Sequence, residues 1–420
     1  MFALVDANNF YVSCEKVFNP SLEGKPVIVL SNNDGCIISR SDEAKLLGLK
    51  MAEPAFYKKE FLEMNQVHVF SSNYALYGDM SHRMVQILRM FSPNIEIYSI
   101  DESFINLSEY KTTNLHTLAD SIKISLKQSL GIDVGIGIGA SKSLAKIANK
   151  IAKRDKKYNG ICILQSAREV DCALRNTPID DVWGIGRQYY KFLEKHHIYT
   201  AFDFTKAPDN WIKQNLTVVG LRLKKELQGI SCIPIEMIIP IKKAIATTRG
   251  FGRIVTNVNH LKEAVSTYAT RCSEKLRRQH TVANILTVFI HTDPFNKKEK
   301  YQYLSKTFQM PVSTNSQIEL VKFAISGLEM IYQEGLKYKK AGVIVDGLES
   351  ANNIQSSLFS KIDIKKNISL SKATDIINNK YGRDKIKLAI QGDGKEWKLR
   401  QEMLSGKYTT QWNDIIKVKC

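Results

Sequence analysis

Acidic side chains stand at the ends of apolar runs at two distant points of the chain. Asp6 directly follows a short apolar run, and Asp101 and Glu102 join the two apolar runs at residues 95–100 and 103–107. Short apolar runs are typical of buried strands, where a carboxylate costs free energy unless a cation neutralises it. The chain must therefore fold so that cations can reach these acids, or leave Asp101 and Glu102 in a polar hairpin turn.

Hard divalent cations take oxygen ligands, and carboxylates are the protein ligands that magnesium prefers. Three carboxylates from two segments could hold a pair of magnesium ions roughly 3.5–4 Å apart, the arrangement that serves in-line phosphoryl displacement. Asp6, Asp101 and Glu102 are therefore candidate catalytic residues and candidate metal ligands. The alternative for Asp101 and Glu102 is a hairpin turn without chemistry.

Strand and helix patterns alternate along residues 1–165 and predict an α+β sheet with helices packed on one face. Strands are predicted at residues 2–6, 27–30, 36–39, 95–100, 103–107 and 134–138, and helices at residues 10–18, 41–47, 74–91, 115–129 and 142–154. Residues 166–240 predict short helices. A second α+β unit is predicted at residues 241–350, with strands at 285–290 and 342–345 and helices at 261–277 and 318–333.

The net charge of +18 lies almost wholly in the C-terminal half of the chain. Residues 1–165 carry 19 basic and 17 acidic side chains, and residues 166–240 carry 10 and 9. Residues 241–350 carry 17 and 9, and residues 351–420 carry 14 and 7. This segregation favours a polyanionic partner, nucleic acid before membrane, over the alternative of lysines that only decorate solvated faces.

Composition excludes several classes of protein. No stretch approaches the ~20 apolar residues that span a bilayer, so no membrane partner is expected. The first residues have no basic region ahead of their apolar run, which predicts a core strand and not a signal peptide. The seven cysteines are scattered without a C-x-x-C pair, which indicates neither a disulfide framework nor a zinc site. A cytosolic protein with reduced thiols is expected.

Four segments resemble, in the right order, the motifs of Y-family, translesion DNA polymerases. Residues 6–15 (DANNFYVSCE) and 98–104 (YSIDESF) resemble the two metal-binding motifs of that family. Residues 35–45 (GCIISRSDEAK) resemble its nucleotide-binding fingers motif, and residues 135–148 (GIGIGASKSLAKIA) its third palm motif. Residues 30–36 (LSNNDGC) are typical of the UmuC-type members, which are the catalytic subunits of bacterial DNA polymerase V, and the resemblance runs nearly end to end.

The resemblance implies a multidomain α+β fold shaped as a right hand, with palm, fingers, helical thumb and α+β little finger. The implied domains are the palm at residues 1–30 and 70–165, the fingers at 31–69, the thumb with a helix-hairpin-helix at 166–240, the little finger at 241–350, and a linker with a UmuC-type tail at 351–420. A nucleoid-associated, cytoplasmic enzyme is implied with it.

The resemblance also implies roles for the site residues. Asp6, Asp101 and Glu102, with the carbonyl of Ala7, would hold two Mg²⁺ ions, and Tyr11 would be the steric gate that excludes ribonucleotides. The implied nucleotide-binding residues are Phe10, Tyr11, Cys36, Ile38, Ser39, Lys45 and Lys153, of which Cys36 and Ile38 would roof the nascent base pair.

The fingers motif departs from the family pattern at two positions. The family often has an aromatic residue where this chain has Asp42, and an arginine where it has Lys45. A lysine binds phosphate as a point charge and lacks the bidentate fork of arginine, so the strength of that contact is in doubt.

The glycines of residues 135–139 are followed by a basic helix. Their spacing fits neither a dinucleotide fingerprint nor a P-loop, and a tightly packed strand and turn is predicted instead. The helix presents its lysines on one face, at positions 142, 146, 150 and 153. A solvated face is the usual explanation of such a stripe, and phosphate contact is the alternative for Lys153.

Contacts with duplex DNA are expected from two segments. Gly184, Gly186 and Arg187 resemble a helix-hairpin-helix turn, whose backbone amides bind phosphate without reading bases. Arg249 and Arg277 lie in segments that resemble the little finger of the family, where the basic excess is found.

Partner proteins are implied by the last segments of the chain. Gln355, Leu358 and Phe359 fit the Q-x-x-L-F pattern of peptides that dock on the replicative sliding clamp, with an ordinary turn as the alternative. Tethering of that kind acts through effective concentration. Residues 397–412 resemble the UmuC-specific C-terminal region, which in the family is associated with the UmuD′ dimer and RecA.

The function implied is error-prone, template-directed DNA polymerisation for translesion synthesis in the SOS response, with primer-template DNA and dNTPs as substrates. A catalytically idle DNA-binding regulatory paralogue is one alternative, and it would predict loss of Asp6, Asp101 or Glu102. A nucleotidyl cyclase on a similar palm is another, but a cyclase needs no grip on a duplex.

Overall fold

The computed structural model of the chain describes residues 1–110, 114–238, 240–296, 298–352, 364–393 and 396–417. These residues form two compact units. The first contains Met1–Ser31, Gly35–Ile239 and Met403–Cys420, and the second contains Asn32–Asp34 and Pro240–Glu402. The segments predicted as palm, fingers and thumb thus fall in the first unit, apart from Asn32–Asp34 and Pro240, and the segment predicted as little finger falls in the second.

The first unit contains eight of the strands and ten of the helices in the described part of the chain. The strands are β1 (Phe2–Ala7), β2 (Val27–Leu30), β3 (Ile37–Arg40), β4 (His68–Ser71), β5 (Ile95–Ile97), β6 (Glu102–Asn106), β7 (Val134–Gly139) and β8 (Ile161–Ile163). The helices are α1 (Phe10–Phe18), α2 (Asp42–Leu46), α3 (Lys59–Met64), α4 (Tyr74–Arg89), α5 (Leu115–Leu130), α6 (Lys142–Arg154), α7 (Ala167–Arg175), α8 (Arg187–Lys195), α9 (Ala201–Lys206) and α10 (Asp209–Leu227).

The central sheet of this unit has the strand order β5-β6-β1-β7-β8, with β1 antiparallel to both β6 and β7. Ala3 and Val5 of β1 pack on one face against α1, α4 and α5. Leu4 packs on the other face, in a cluster with Ala145 of α6. Helices therefore cover both faces, and the prediction of helices on one face is wrong for α6.

The glycines of β7 allow α6 to pack in direct contact with the backbone of the sheet. A Cβ built on Gly137 would lie 2.0 Å from the backbone nitrogen of Asn149 and 2.3 Å from the carbonyl oxygen of Ala145. Ser141 caps the helix by accepting a hydrogen bond from the N–H of Leu144 at 3.2 Å. The prediction of a tightly packed strand and turn at residues 135–139 is confirmed.

Two smaller layers complete the first unit. A three-stranded sheet of order β3-β2-β4 has its own core, formed by residues that include Ile28, Leu30 and Ile37. Helices α7 to α10 form a further core with α6, in which Leu193 and Phe204 are fully buried. This second layer is the helical segment predicted from residues 166–240.

The second unit is an α+β layer. Its strands are β9 (Ile245–Val255), β10 (Thr281–Thr292), β11 (Tyr303–Thr314) and β12 (Tyr338–Ser350), in the sheet order β11-β10-β12-β9, and its helices are α11 (Val258–Arg278), α12 (Gln317–Ile331) and α13 (Ile364–Tyr381). Helices α11 and α12 pack on the sheet around a core that includes Phe251, Leu276 and Val343. The α+β character predicted for residues 241–350 is confirmed.

Ion pairs attach the segment after this sheet to α11. The guanidinium of Arg277 donates to both carboxylate oxygens of Asp375 in α13, at 2.6 Å each. Arg271 pairs with Asp384 three residues beyond the end of α13. Part of the segment predicted as a tail is therefore docked on the second unit.

Within the described ranges, the longest apolar helical stretches fall short of what crossing a lipid bilayer would require.

Candidate active site

The central sheet brings the three candidate carboxylates to one strand end. In the antiparallel pairing of β1 with β6, Asp6 stands directly opposite Glu102. The N–H of Ala7 donates a hydrogen bond of 2.9 Å to the carbonyl oxygen of Asp101. Cross-strand neighbours of this kind have Cβ atoms about 4.5–5.5 Å apart, so the acids of the two motifs share one edge.

Asp6 is partly buried at this strand end, with a side chain that is 18% exposed. The pKa of Asp6 is raised to about 6, chiefly by burial; Lys153 lowers it, and the negative charges of Glu102 and Asp101 contribute to the rise. The Nζ atom of Lys153 lies 2.6 Å from Oδ1 of Asp6. Gly135 makes room for this lysine, since a Cβ there would lie 2.8 Å from the side-chain carbons of Lys153.

Glu102 and Asp101 have partners of their own. Lys146 Nζ lies 3.0 and 3.2 Å from the two carboxylate oxygens of Glu102 and 4.3 Å from the ring centroid of Tyr98. The hydroxyl of Ser99 donates to Oδ1 of Asp101 at 2.6 Å. Each carboxylate is therefore held in place by a hydrogen bond or an ion pair.

The donor set at this edge fits magnesium by its chemistry. No group of three or more histidine, cysteine, aspartate and glutamate side chains in the described part of the chain is already drawn together as a metal site. Asp6 and Glu102 instead face the ammonium groups of Lys153 and Lys146. The three carboxylates are nevertheless hard oxygen ligands on adjoining strands, and the raised pKa of Asp6 marks a negative charge that a divalent cation would offset.

A cleft in the first unit brings nine of the predicted site residues together. Its walls are formed by Asp6, Ala7, Asn9, Phe10, Tyr11, Ile38, Ser39, Arg40, Lys45, Met51, Tyr74, Ile100, Asp101 and Lys153. Of the residues predicted to bind metal or nucleotide, two lie outside this lining: Glu102, which faces Lys146, and Cys36, whose N–H donates to the Ser31 hydroxyl at 3.0 Å.

Tyr11 lines the cleft and is supported from behind. Its ring stacks on the ring of Tyr77, with centroids 4.5 Å apart and planes at 17°. Tyr74 meets it edge-on, with centroids 6.1 Å apart. Burial raises the pKa of the Tyr11 phenol, so the group remains neutral at physiological pH. A neutral, packed ring at this position can act as a steric barrier.

The fingers motif contributes a polar wall to the cleft. Ser39 is almost fully buried, and its hydroxyl lies 3.3 Å from the carbonyl of Asn9, which occupies the left-handed region at φ 50°. Lys45 pairs with Asp42 at 2.7 Å, and Asp42 also accepts a hydrogen bond of 3.1 Å from Asn9. Asp42, one of the two departures from the family pattern, thus links the fingers motif to the start of α1.

Five lining residues had no predicted role: Asn9, Arg40, Met51, Tyr74 and Ile100. Asn9, Arg40 and Ile100 lie within the motifs at residues 6–15, 35–45 and 98–104, and Tyr74 begins the helix predicted at residues 74–91. Met51 carries no sequence signal, because it reaches the cleft only through the packing of the fingers layer.

The predicted helix-hairpin-helix turn lies at the start of α8. Gly184 has φ 93°, and Gly186 is the N-cap of the helix with open space around the position of a Cβ. Arg187 is exposed, and Trp183 donates from its indole N–H to the hydroxyl of Tyr98 at 3.0 Å. The backbone amides at this turn are therefore accessible, and their contact with DNA stays a prediction.

The two arginines predicted to contact DNA in the second unit differ. Arg249 is exposed on β9, which is an edge strand of its sheet. Arg277 has a side chain that is only 11% exposed and is engaged by Asp375, Ser273 and the carbonyl of Asn315. Arg277 thus docks α13 through hydrogen bonds that use four of its five N–H donors, and its contact with DNA stays a prediction.

The predicted clamp-binding peptide, with Gln355, Leu358 and Phe359, lies outside the described residues.

Comparisons with protein families place these features in context. Residues 5–150 match the model of the impB/mucB/samB family, residues 242–358 match the model of its C-terminal domain, and residues 369–418 match a model described as a domain of unknown function, DUF4113. "Protein UmuC" of Salmonella typhimurium is 38% identical over 424 residues, covering 100% of both chains. "DNA polymerase IV 1" of Bacillus subtilis is 27% identical over 68% of this chain and 69% of its own length.

The solved structures agree on the fold. A Y-family DNA polymerase chimera, Dbh-Dpo4(243-245)-Dbh, superposes with a TM-score of 0.67 at 22% sequence identity, covering 83% of this chain and 100% of the chimera. The predicted right-hand fold of α+β domains is thereby confirmed, and the boundaries of the individual domains stay a prediction.

Proposed function

The chain belongs to the impB/mucB/samB family of Y-family DNA polymerases, and we propose that it performs error-prone, template-directed synthesis across damaged bases. The proposed reaction transfers a deoxynucleoside monophosphate to a primer 3′-hydroxyl and releases pyrophosphate. One observation supports it most. The pairing of β1 with β6 sets Asp6 opposite Glu102, next to Asp101 and at the edge of the cleft that Tyr11 lines.

Asp6, Asp101 and Glu102, with the carbonyl of Ala7, would hold magnesium at this edge. Two ions, when bound, would activate the attacking hydroxyl and stabilise the charge of the leaving pyrophosphate. Burial of Asp6 beside two further carboxylates supports this assignment, because a site of concentrated negative charge favours divalent cations.

Lys153 and Lys45 are the proposed phosphate-binding cations. Both line the cleft, and their side chains are 28% and 43% exposed, so the ammonium groups can meet a ligand there. Each is held by one carboxylate, Lys153 by Asp6 and Lys45 by Asp42. The phosphate oxygens of a triphosphate would compete with those carboxylates for the hydrogen bonds that the two ammonium groups donate. Both lysines could then turn from their carboxylates to the bound triphosphate. The hydroxyl of Ser39 stands on the same wall.

Tyr11 is proposed to select deoxyribonucleotides by steric overlap with a ribose 2′-hydroxyl. Its ring is fixed between the cleft and the rings of Tyr77 and Tyr74. A ring held on two sides cannot swing away without losing aromatic contacts worth about 0.5–1.5 kcal/mol per pair. The packing of Tyr11 against these two rings therefore favours exclusion of a ribonucleotide, whose 2′-hydroxyl would collide with the Tyr11 ring.

Duplex DNA is proposed to contact the amides at Gly184 and Gly186, with Arg187 beside them, and the exposed Arg249 on β9. These contacts would act on phosphates and carry no sequence information. The basic excess of residues 241–350 supports a polyanionic partner for that part of the chain.

An SOS role with UmuD′, RecA and the sliding clamp is proposed from the full-length similarity to UmuC. The clamp contact would be made by the peptide that contains Gln355, Leu358 and Phe359.

Primer extension past an abasic site tests the proposal. The full chain is supplied with UmuD′, activated RecA, magnesium and dNTPs, and Asp101→Asn is compared with wild type. Asp120→Asn is the matched control, since Asp120 is an exposed acid of α5 that pairs with His116. We expect extension by wild type and by the control, and a loss of at least about a hundredfold in Asp101→Asn.

Extension by Asp101→Asn at the wild-type rate would place the chemistry elsewhere. Absence of extension by every chain on damaged and undamaged templates alike, with DNA binding intact, would favour the idle regulatory paralogue.

A further inference from the structure

The last described segment of the first unit packs against the elements that support Tyr11. We call residues 403–417 the C-terminal strap. The N–H of Ser71 donates to the carbonyl of Met403 at 2.9 Å, and the N–H of Met403 donates to the Ser71 hydroxyl at 3.0 Å. Farther along the strap, Tyr408 stacks on Phe18 of α1 with centroids 4.9 Å apart. The strap thus lies along α1 and the start of α4.

Asn73 joins the strap to the N-terminus of α4. Its Oδ1 atom caps the helix by accepting from the N–H of Leu76 at 3.3 Å. Its Nδ2 atom lies 3.0 Å from the hydroxyl of Ser405 and 3.1 Å from the carbonyl of Gly406. Asn73 is 2% exposed, so these hydrogen bonds are shielded from water. Helix α4, which also carries Tyr74 and Tyr77, is therefore positioned partly by the strap.

A buried carboxylate lies between the strap and the ring behind Tyr11. Glu15 is 2% exposed, and its Oε1 atom accepts from the hydroxyl of Tyr77 at 2.6 Å and from the hydroxyl of Ser405 at 2.9 Å. Burial raises the pKa of Glu15, and these two hydrogen bonds oppose the rise. A buried carboxylate is costly unless such donors are present, so Ser405 and Tyr77 are held to fixed positions.

The contacts form one continuous path from the strap to the cleft. Ser405 bonds to Glu15, Glu15 bonds to Tyr77, and the fully buried ring of Tyr77 stacks on Tyr11 at 4.5 Å. Loss of the Ser405 hydroxyl would leave Glu15 with one hydroxyl donor fewer and free the Tyr77 phenol to tilt. Tyr11 would tilt with it, because stacked rings move together. A tilted Tyr11 ring would overlap less with a ribose 2′-hydroxyl.

We propose that the C-terminal strap sets the sugar selectivity of the site, with Ser405, Glu15 and Tyr77 as positioning residues for Tyr11. This inference rests on the proposed polymerase function and on Tyr11 as its steric gate. It gives a role to the end of the segment that matches the domain of unknown function. The simpler role, in which these contacts only anchor the strap, would affect stability and leave selectivity unchanged.

Single-nucleotide insertion by the full chain on a primer-template tests the proposal, with kcat and KM measured for a dNTP and its matching rNTP. The test variants are Ser405→Ala and Tyr77→Phe, and Ser405→Thr is the conservative variant that retains a hydroxyl. Asp414→Ala is the matched control, since it removes one hydrogen bond of the strap, from the N–H of Lys407 at 2.8 Å, away from Glu15.

We expect Ser405→Ala and Tyr77→Phe to lower the dNTP-to-rNTP ratio of kcat/KM roughly threefold to tenfold, because a hydrogen bond to a charged group is lost. The change should come from faster rNTP insertion, with dNTP insertion nearly constant. Ser405→Thr and Asp414→Ala should keep the wild-type ratio. An unchanged ratio in both test variants would overturn the proposal, as would an equal fall in the control.

A measurement that needs no nucleotide insertion tests the role of the strap separately from the proposed polymerase function. Tetranitromethane nitrates exposed tyrosine rings, and mass spectrometry gives the rate at Tyr11. Ser405→Ala should accelerate nitration of Tyr11 several-fold relative to wild type and Asp414→Ala, even if no chain inserts a nucleotide. Absence of insertion by wild type would count against the proposed function, whereas equal nitration of Tyr11 in all chains would overturn the role of the strap.

Discussion

The ammonium nitrogen of Lys153 lies 2.6 Å from Oδ1 of Asp6, so helix α6 brings a positive charge to the strand end where the candidate metal ligands meet. The other lysines of the same helix face are also paired. Lys142 lies against Glu96, Lys146 against Glu102 and Lys150 against Asp181. The stripe is therefore an ion-paired face, and the alternative of a solvated face is wrong.

Asp6 should make stability depend on pH. A carboxyl whose pKa is about 6 in the folded chain and near 3.8 when unfolded binds more protons when folded. Stability should therefore fall as pH rises through this window, by about 1–2 kcal/mol between pH 5 and pH 8. Thermal unfolding in EDTA should show this fall in wild type and a smaller one in Asp6→Asn. An equal slope in both chains would contradict the assignment.

Lys153 should matter for the nucleotide more than its neighbours on α6. Lys153→Met removes a cation that lines the cleft, so KM for the incoming dNTP should rise roughly tenfold. Lys150→Met is the control, because Lys150 pairs with Asp181 outside the cleft lining, and its KM should stay within about twofold of wild type. Steady-state insertion kinetics measure both. Equal KM values for the two variants would remove Lys153 from the proposed phosphate site.

Gly137 should tolerate no side chain. A methyl group there would meet the backbone of α6 at 2.0 Å, and backbone cannot move aside cheaply. Gly137→Ala should destabilise the chain by about 3 kcal/mol or more. Gly78→Ala in α4 meets nothing within 4 Å and should be neutral or stabilising by about 0.5–1 kcal/mol. Thermal unfolding midpoints compare the two, and similar midpoints would contradict the close packing of β7 on α6.

Substitution of Arg277 should affect the docking of α13, whereas substitution of Arg249 should affect DNA binding. Arg277→Ala leaves Asp375 without its bidentate partner, so limited proteolysis should cut earlier near α13, while DNA affinity should change little. Arg249→Ala should weaken DNA binding severalfold and reduce the salt dependence by about one phosphate contact. Binding titrations at several salt concentrations measure both. Weaker DNA binding in Arg277→Ala without earlier proteolysis would support its predicted phosphate contact.

Local elements with strong end signals were predicted well. Helix α1 and strand β2 have the predicted bounds, and so does α6, where a serine cap and the preceding glycines mark the start. The edge strand β11 was not predicted, because the polar run at residues 305–307 and Pro311 interrupt its apolar alternation. Strand β4 was also missed, since it is defined by parallel pairing with β2, some 40 residues earlier in the chain.

The sequence motifs predicted the three candidate carboxylates and Tyr11 as site residues. They did not predict the ion pairs and hydrogen bonds that surround them. The ion pairs of Lys146 and Lys153 depend on how closely α6 packs on the sheet, which is a tertiary property. The hydrogen bond between Ser405 and Glu15 joins residues from opposite ends of the chain, and the motif that ends at Glu15 does not indicate Ser405 as its partner. The motifs therefore predicted which residues form the candidate site. The contacts that hold those residues in place could be seen only in the folded structure.

The most direct test of the account replaces one proposed metal ligand with a thiolate. In single-turnover insertion with magnesium, Asp101→Cys should lose at least about a hundredfold in rate, because a soft sulfur is a poor magnesium ligand. Addition of Mn²⁺ or Cd²⁺ should restore part of that rate in Asp101→Cys and none in Asp101→Ala. Wild-type rates for Asp101→Cys in magnesium would contradict the claim that nucleotidyl transfer takes place at Asp6, Asp101 and Glu102.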